Sequence, residues 1–255
     1  MHVRVLGAHQ LESKESRLTS LLVDGVLAID AGSLSSTLTI PEQEEIGAVL
    51  ITHHHFDHTR DLLTLGINTD SHTTDVYSTA EVLDSLSSNL VNGAIYPRFT
   101  DGSTSSPPSL RFNLLEPGEL AQVCGYTVLP LPVPHGPPTI GYQVKDARGK
   151  AIFYTGDTGR GCSSVWSCIS PDLLLIDVTL PNRLDEPARK SGHLTPLDLL
   201  DELQKFRSAK GYLPKVLATH LNPRYEEEIR VEVQEVAQRL DADVSLAYEG
   251  LEMEL

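Results

Sequence analysis

Short apolar runs, each followed by a polar turn, recur along the chain and predict β-strands. Near the amino terminus, residues 3–6 alternate apolar and polar side chains. Residues 21–23 and 26–29 flank Asp24 and Gly25, a dipeptide that favours a tight hairpin turn. The second arm of this hairpin runs into Asp30, for which the sequence favours a role as a turn or cap residue rather than as a ligand.

Five later apolar runs share a second property, because each ends at a histidine or an aspartate. These runs are residues 47–51 before His53, 128–134 before His135, 151–154 before Asp157, 173–176 before Asp177, and 216–219 before His220. An α/β sheet places successive strand ends along one edge, where sites are built from residues distant in sequence. Asp177 is interpreted as a partner that orients one of the histidines.

Helical periodicity is clearest in the last third of the chain. Thr195, Pro196 and Asp198 form a cap signature, and apolar positions then follow at helical spacing. A closing helix is predicted over residues 225–240. Shorter helices are expected within residues 33–46 and over 59–65. Residues 100–109 are predicted to be a loop, either a surface excursion or a flap over the site.

The densest chemistry lies directly after the run 47–51, in the pattern His-x-His-x-Asp-His. On an extended segment, side chains two apart point the same way, so His53 and His55 can share one metal ion. Asp57 and His58 follow where the chain turns, and they can face a second ion. Imidazole nitrogens and carboxylate oxygens suit zinc and neighbouring transition metals. The loop is therefore predicted to bind metal rather than to be a solvated histidine cluster.

Composition places limits on partners and compartment. The 255 residues are predicted to form one domain, 1–255. The net charge of −15 argues against a large nucleic-acid footprint, since nucleic-acid binders carry basic patches. No apolar run approaches a membrane span, and three cysteines without a CxxC pair argue against a disulfide framework. A cytoplasmic protein that contacts no membrane is expected.

The ordered series His-x-His-x-Asp-His, His135, Gly-Asp-Thr and His220 resembles the binuclear metallo-β-lactamase-fold hydrolases. The resemblance implies a four-layered αββα sandwich with mixed sheets. It implies one ion held by His53, His55 and His135, and another held by Asp57, His58 and His220, with Asp157 and a hydroxide bridging the pair. Zinc is the first expectation for both ions, with manganese or iron as alternatives.

Further segments around His193 and Arg224 look like the class II 3′,5′-cyclic-nucleotide phosphodiesterases, for which a homodimer and a cyclic-nucleotide substrate are implied. By that resemblance, bridging hydroxide attacks phosphorus and His193 protonates the leaving oxygen; an exposed pre-helix histidine is the alternative for His193. Asp57 and His193 are the candidate catalytic residues. Arg224 is predicted either to bind a phosphate or to start a helix at the surface. The transfer-RNA 3′-processing endonuclease and thioester or lactone hydrolases of the same fold remain alternative functions.

Overall fold

The computed structural model describes residues 1–68, 72–102 and 107–255, and its strands all belong to two sheets. In chain order the strands of this described part are β1 His2–Gly7, β2 Ser20–Val23, β3 Leu27–Ile29, β4 Ala48–Leu50, β5 Thr74–Ser78, β6 Leu110–Leu114, β7 Ala121–Val123, β8 Tyr126–Val133, β9 Thr139–Lys145, β10 Ala151–Tyr154, β11 Leu173–Asp177, β12 Lys215–Thr219, β13 Val244–Leu246 and β14 Glu252–Glu254. The first sheet has the order β14-β1-β2-β3-β4-β5-β6, and the second has the order β13-β12-β11-β10-β9-β8-β7.

Helices cover the outer faces of both sheets. Within the same residues they are α1 Leu34–Thr37, α2 Ile40–Glu44, α3 Phe56–Thr59, α4 Leu62–Asn68, α5 Ala80–Asn89, α6 Ser163–Cys168, α7 Asp185–Ser191, α8 Pro196–Lys210 and α9 Glu226–Leu240, with a 3-10 turn at Asn182–Leu184. Among these described residues, one apolar core lies between the sheets, a second packs the first sheet against α1, α4 and α5, and a third packs the second sheet against α6, α8 and α9. This αββα layering confirms the predicted fold class.

The parallel strands position the site. Strands β3 to β6 run parallel in the first sheet, and β10 to β13 run parallel in the second. Ile29 pairs with Leu50, so the residues that follow β3 and β4 lie side by side. Asp177 likewise pairs with Thr219, which brings the ends of β11 and β12 together. The polar residues after these strands therefore converge at one edge of the sandwich.

Two local predictions, the hairpin turn and the helix cap, are confirmed. Asp24 and Gly25 both have positive φ, 47° and 75°, as a two-residue hairpin turn requires. Thr195 caps α8 with the reciprocal hydrogen bonds of a capping box to Asp198.

The described part of the chain contains no helix that is both long and apolar enough to cross a bilayer. The single domain 1–255 stays a prediction.

The helix predicted over residues 59–65 is wrong in its bounds. The chain turns into α3 already at Phe56 and begins a second helix, α4, at Leu62. The break lies at Asp61, because its N–H donates to the carbonyl of Ala31 and its carboxylate accepts from the N–H of Ser35. Of the loop predicted over 100–109, residues 103–106 lie outside the described residues.

Candidate metal centre

The loop after β4 presents its ligand-type side chains in two directions. His53 is buried directly after the strand, and its ring centroid lies 4.5 Å from that of His55. His55 has extended backbone, φ −60° and ψ 147°, and α3 begins at the next residue. The helical turn carries Asp57 and the buried His58 onward along the same edge. The change from extended to helical backbone thus separates the first pair of side chains from the second.

A first group of four side chains with ligand-type atoms spans both sheets. Their ligand-type atoms all lie within 4.8 Å of one another, and the members are His53, His55, His135 and Asp157. Asp157 Oδ2 faces this group, 3.5 Å from Nε2 of His53 and 3.7 Å from Nε2 of His135.

A second group lies on the other side of Asp157. Asp57, His58 and His220 likewise place their ligand-type atoms within 4.8 Å of one another. Asp157 Oδ1 lies 3.1 Å from Nε2 of His58 and 3.3 Å from Nε2 of His220. The two oxygens of Asp157 therefore face different groups, which is the arrangement that a carboxylate shared by two cations requires.

Buried polar atoms without partners indicate that this site fits metal ions. Among the described residues, Nε2 of His53, His58 and His135 and Oδ1 of Asp157 are buried and accept or donate no hydrogen bond. Such atoms are costly unless a ligand satisfies them. All four belong to the two groups, and nitrogen with carboxylate oxygen is a donor set for divalent transition metals. The His/Asp cluster is thus compatible with divalent ions.

The electrostatics of the buried residues agree with this donor set. Burial holds the pKa of His53 well below 6.5 and also lowers the pKa of His135, which favours the neutral imidazoles that bind metal. Burial alone would raise the pKa of Asp157, but the neighbouring histidines His220, His58 and His53 hold it well below its ordinary value. Asp157 is therefore an anion at neutral pH.

Hydrogen bonds behind the histidines fix the orientation of several rings. Thr52 Oγ1 lies 3.0 Å from Nδ1 of His53, and Nδ1 of His135 donates to the carbonyl of Gly192 at 2.9 Å. Thr179 Oγ1 lies 2.8 Å from Nδ1 of His220. With Nδ1 occupied in each case, Nε2 is the nitrogen directed toward the centre.

His193 lies against the second group but is held by a different carboxylate. Its Nδ1 donates to Oδ2 of Asp177 at 2.6 Å, and its ring stacks on His220 with centroids 5.0 Å apart. Burial lowers the pKa of His193, but Asp177 outweighs it and raises the pKa to about 9. Nδ1 is occupied, so Nε2 is left to exchange a proton with a substrate. The alternative of an exposed pre-helix histidine does not match its position, because His193 is 9% exposed.

Arg224 borders a different depression from the one that His135 and His193 line. Its side chain is exposed and borders a depression of about 410 Å³ formed with the loop of residues 11–16. Glu12, Glu15 and Glu226 border the same depression, so a phosphate bound there would meet three carboxylates. A phosphate contact by Arg224 stays a prediction.

Comparison with known proteins decides the family. Residues 19–247 match the family described as the beta-lactamase superfamily domain. The chain belongs to this superfamily. Together with the two sheets and their outer helices, the match confirms the metallo-β-lactamase fold that the resemblance implied.

Three curated relatives of this superfamily member carry different names, and two of them are named as phosphodiesterase or ribonuclease. A probable 3′,5′-cyclic-nucleotide phosphodiesterase of Yersinia pestis is 26% identical over 209 residues, 72% of this chain and 60% of the relative. A ribonuclease Z of Haloarcula marismortui is 29% identical over 147 residues, 57% of this chain and 42% of the relative. The chain thus spans less than two thirds of the length of either relative. Unliganded yeast PDE1 is similar over 100% of this chain and 99% of that chain, with a TM-score of 0.83 and 17% identity, which shows the fold.

Asp30 supports the candidate centre of this superfamily member, although the sequence predicts no such role for it. It was assigned to a turn or cap, and its φ of 60° does place it at a turn. However, its buried carboxylate also accepts hydrogen bonds from Nδ1 of His58, at 2.7 Å, and from the N–H of Thr52, at 2.8 Å. The signal that could have found it is the position of Asp30 at the end of β3, the parallel neighbour of β4.

Proposed function

We propose that this protein is a binuclear metal-dependent phosphodiesterase that hydrolyses 3′,5′-cyclic nucleotides. The observation that carries the proposal is the position of Asp157, whose two carboxylate oxygens face two separate groups of histidine and aspartate side chains. A pair of cations held this way suits hydrolysis of phosphodiesters, whose non-bridging oxygens carry negative charge beside the phosphorus that is attacked.

The chain supplies ligands for each ion in this proposal. His53, His55 and His135 would hold one ion, while Asp57, His58 and His220 would hold the other, and Asp157 would be shared between them. Zinc is the first choice, with manganese and iron as alternatives. When bound, two such ions make water nucleophilic at neutral pH and neutralise charge that develops on the phosphoryl oxygens. Asp57, one of the residues that would hold the second ion, remains a candidate catalytic residue.

His193 is the residue proposed to move a proton. Asp177 accepts from its Nδ1 and thereby fixes both the ring and the tautomer, as in other histidine–carboxylate pairs. Nε2 is then available to protonate the oxygen that leaves phosphorus, which for a 3′,5′-cyclic nucleotide is the 3′ oxygen. The stacking of His193 on His220 brings that donor to the edge of the centre.

A small cyclic nucleotide is preferred over RNA as substrate for two reasons. The relative of Yersinia pestis is named a probable cyclic-nucleotide phosphodiesterase, and the net charge of −15 disfavours a long phosphate footprint. The similarity to a ribonuclease Z keeps an endoribonuclease of the transfer-RNA 3′-processing type as the second candidate. A homodimer is part of the first proposal.

The test is hydrolysis of 3′,5′-cyclic AMP and GMP by the metal-replete protein, measured as nucleotide product. Asp57→Ala is the inactive control, and Asp75→Asn is its matched control, since Asp75 pairs with Arg111 on the first sheet. Product that is lost only with Asp57→Ala supports the proposal. Cleavage of bis-p-nitrophenyl phosphate or of pre-tRNA without cyclic-nucleotide turnover would replace the cyclic substrate by another diester. No turnover of any phosphodiester would contradict the proposal and favour a thioester or lactone.

A further inference from the structure

A cavity of about 360 Å³ lies beside His193, and three cationic side chains border it. His135 and His193 form the side of the cavity nearest the centre, and Arg160, Arg189 and Lys190 supply its charged side chains. Among the described residues that line it there is no carboxylate. This is unexpected in a chain with 35 acidic and 20 basic residues. The lining therefore offers cationic side chains to a ligand, although each cation also pairs with a carboxylate outside the lining.

The positions of two of the cations have an ordinary structural explanation. Arg189 and Lys190 lie in the last turn of α7, where cations favour the helix dipole. Each also pairs with a carboxylate four residues earlier, Asp185 and Glu186 respectively. Exposed pairs of this kind contribute little to stability, so stability alone does not require both.

The third cation does not follow from that explanation. Arg160 belongs to the loop after β10, and its guanidinium contacts Asp185 and Asp198, which hold it at the wall of the cavity. Two separate segments thus direct cations to one cavity, while their carboxylate partners lie outside its lining. A guanidinium has five N–H donors and an ammonium has three, so each cation keeps donors for a further anion.

We propose that this cavity binds a second phosphate, carried by the part of the substrate that leaves phosphorus. The inference rests on the proposed function, because His193 marks the leaving side of the reaction. A cyclic mononucleotide has one phosphate and does not use this site. The same centre is therefore proposed to accept linear dinucleotides as well, and to prefer those whose leaving nucleoside carries a 5′-phosphate.

Two dinucleotides test this preference directly. TpT and pTpT differ only in a 5′-phosphate on the nucleoside that leaves through its 3′ oxygen. We expect kcat/KM of the metal-loaded enzyme to be about tenfold higher for pTpT, since hydrogen bonds to charged groups are among the stronger ones. Calorimetric binding of the phosphorothioate-linked forms, which hydrolyse slowly, should show a similar ratio of Kd values, and the ratio should shrink at high salt.

The decisive variant is Arg189→Gln/Lys190→Gln, with Arg230→Gln/Lys215→Gln as its control. The control removes the same charge from a different cavity, at the start of β12 and far from His220. We expect the pTpT preference to disappear in the first variant and to persist in the second. An unchanged preference in the first variant, or equal binding of TpT and pTpT by the wild type, would overturn the inference. Turnover of cyclic AMP without any pTpT preference would support the proposed function and overturn the second phosphate site. A pTpT preference without cyclic-AMP turnover would support the second phosphate site and overturn cyclic nucleotides as substrates.

Discussion

Asp30 accepts a hydrogen bond from Nδ1 of His58 over 2.7 Å, although 28 residues separate the two. The same carboxylate binds the backbone N–H and the hydroxyl of Thr52, and that hydroxyl lies 3.0 Å from Nδ1 of His53. One buried carboxylate therefore orients a histidine of each group, directly in one case and through a threonine in the other. The two halves of the proposed centre share this support.

Asp30→Asn should weaken metal binding at both positions. The amide keeps the size of the carboxylate but loses its charge and one acceptor oxygen, so neither His58 nor Thr52 is held as before. We expect affinity to fall by about 10- to 100-fold, the usual effect of losing a hydrogen-bond partner behind a metal ligand. Chelator competition measures it, with Asp75→Asn as control. Wild-type affinity in Asp30→Asn would show that the ring orientations do not depend on this carboxylate.

Asp157→Ala should abolish binding of the metal pair. Without the shared anion, two divalent ions held by the two groups would repel each other with no negative charge between them. Metal analysis of the purified variant should give no more than one ion per chain, and activity should be lost. A variant that retains two tightly bound ions would contradict the bridging role.

His193→Ala should retain both ions and lose turnover by about 10²- to 10⁴-fold, which is the range of general acid–base catalysis. Asp177→Asn should cause a smaller loss of kcat, about 10- to 100-fold, because the ring remains but its orientation is no longer fixed. Measured kcat and metal content for both variants check this order. Normal turnover by His193→Ala would remove His193 from the mechanism.

His9 should make stability depend on pH. Its Nδ1 donates to Glu249 at 2.6 Å and its Nε2 lies 3.1 Å from Glu226. Burial lowers the pKa of His9, but the two carboxylates outweigh it and raise the pKa above 6.5. Burial likewise raises the pKa of Glu249, but its hydrogen bonds, led by the one from His9, hold it below 4.5.

The sign of the effect follows from these two directions. Stabilisation from His9 is complete below pH 6.5 and is lost as pH rises through the folded-state pKa, whereas that from Glu249 is lost as pH falls below 4.5. His9→Gln should therefore lower the free energy of unfolding by about 1–2 kcal/mol near pH 5.5. The loss of unfolding free energy in His9→Gln, relative to the wild type, should be smaller at alkaline pH. Urea unfolding of both proteins near pH 5.5 and at alkaline pH measures this loss. An equal loss at the two pH values would show that the charge of His9 is not involved.

The sequence was most informative where a signal is local. A buried strand followed by histidine or aspartate identifies its own end, and the structure brings His53, His135, Asp157 and His220 to one edge. The cap at Thr195 is equally local. That these three histidines and Asp157 act as metal ligands stays a prediction. Their convergence follows from parallel strands whose ends share an edge.

What the sequence could not predict depends on which elements are neighbours. The local sequence around Asp30 predicts only a turn residue, because nothing in that segment reveals that β3 pairs with β4. The break at Asp61 likewise depends on the carbonyl of Ala31, which the fold brings beside it. The cavity wall joins Arg160 to α7 through Asp185, a contact between segments that no periodicity signals.

The division of the proposed ligands between the two sheets has a consequence for folding. His53, His55, Asp57 and His58 follow β4 of the first sheet, whereas His135, Asp157 and His220 follow strands of the second. A nascent chain that has formed only strands β1 to β6 would present half of each proposed ligand group to solvent. If these residues bind metal as proposed, full coordination would have to wait until His220 has been synthesised and the sheets have packed, so metal capture would belong to the last stage of folding. Once captured, the ions join the two halves, and the loaded protein should unfold more slowly than the chelated one.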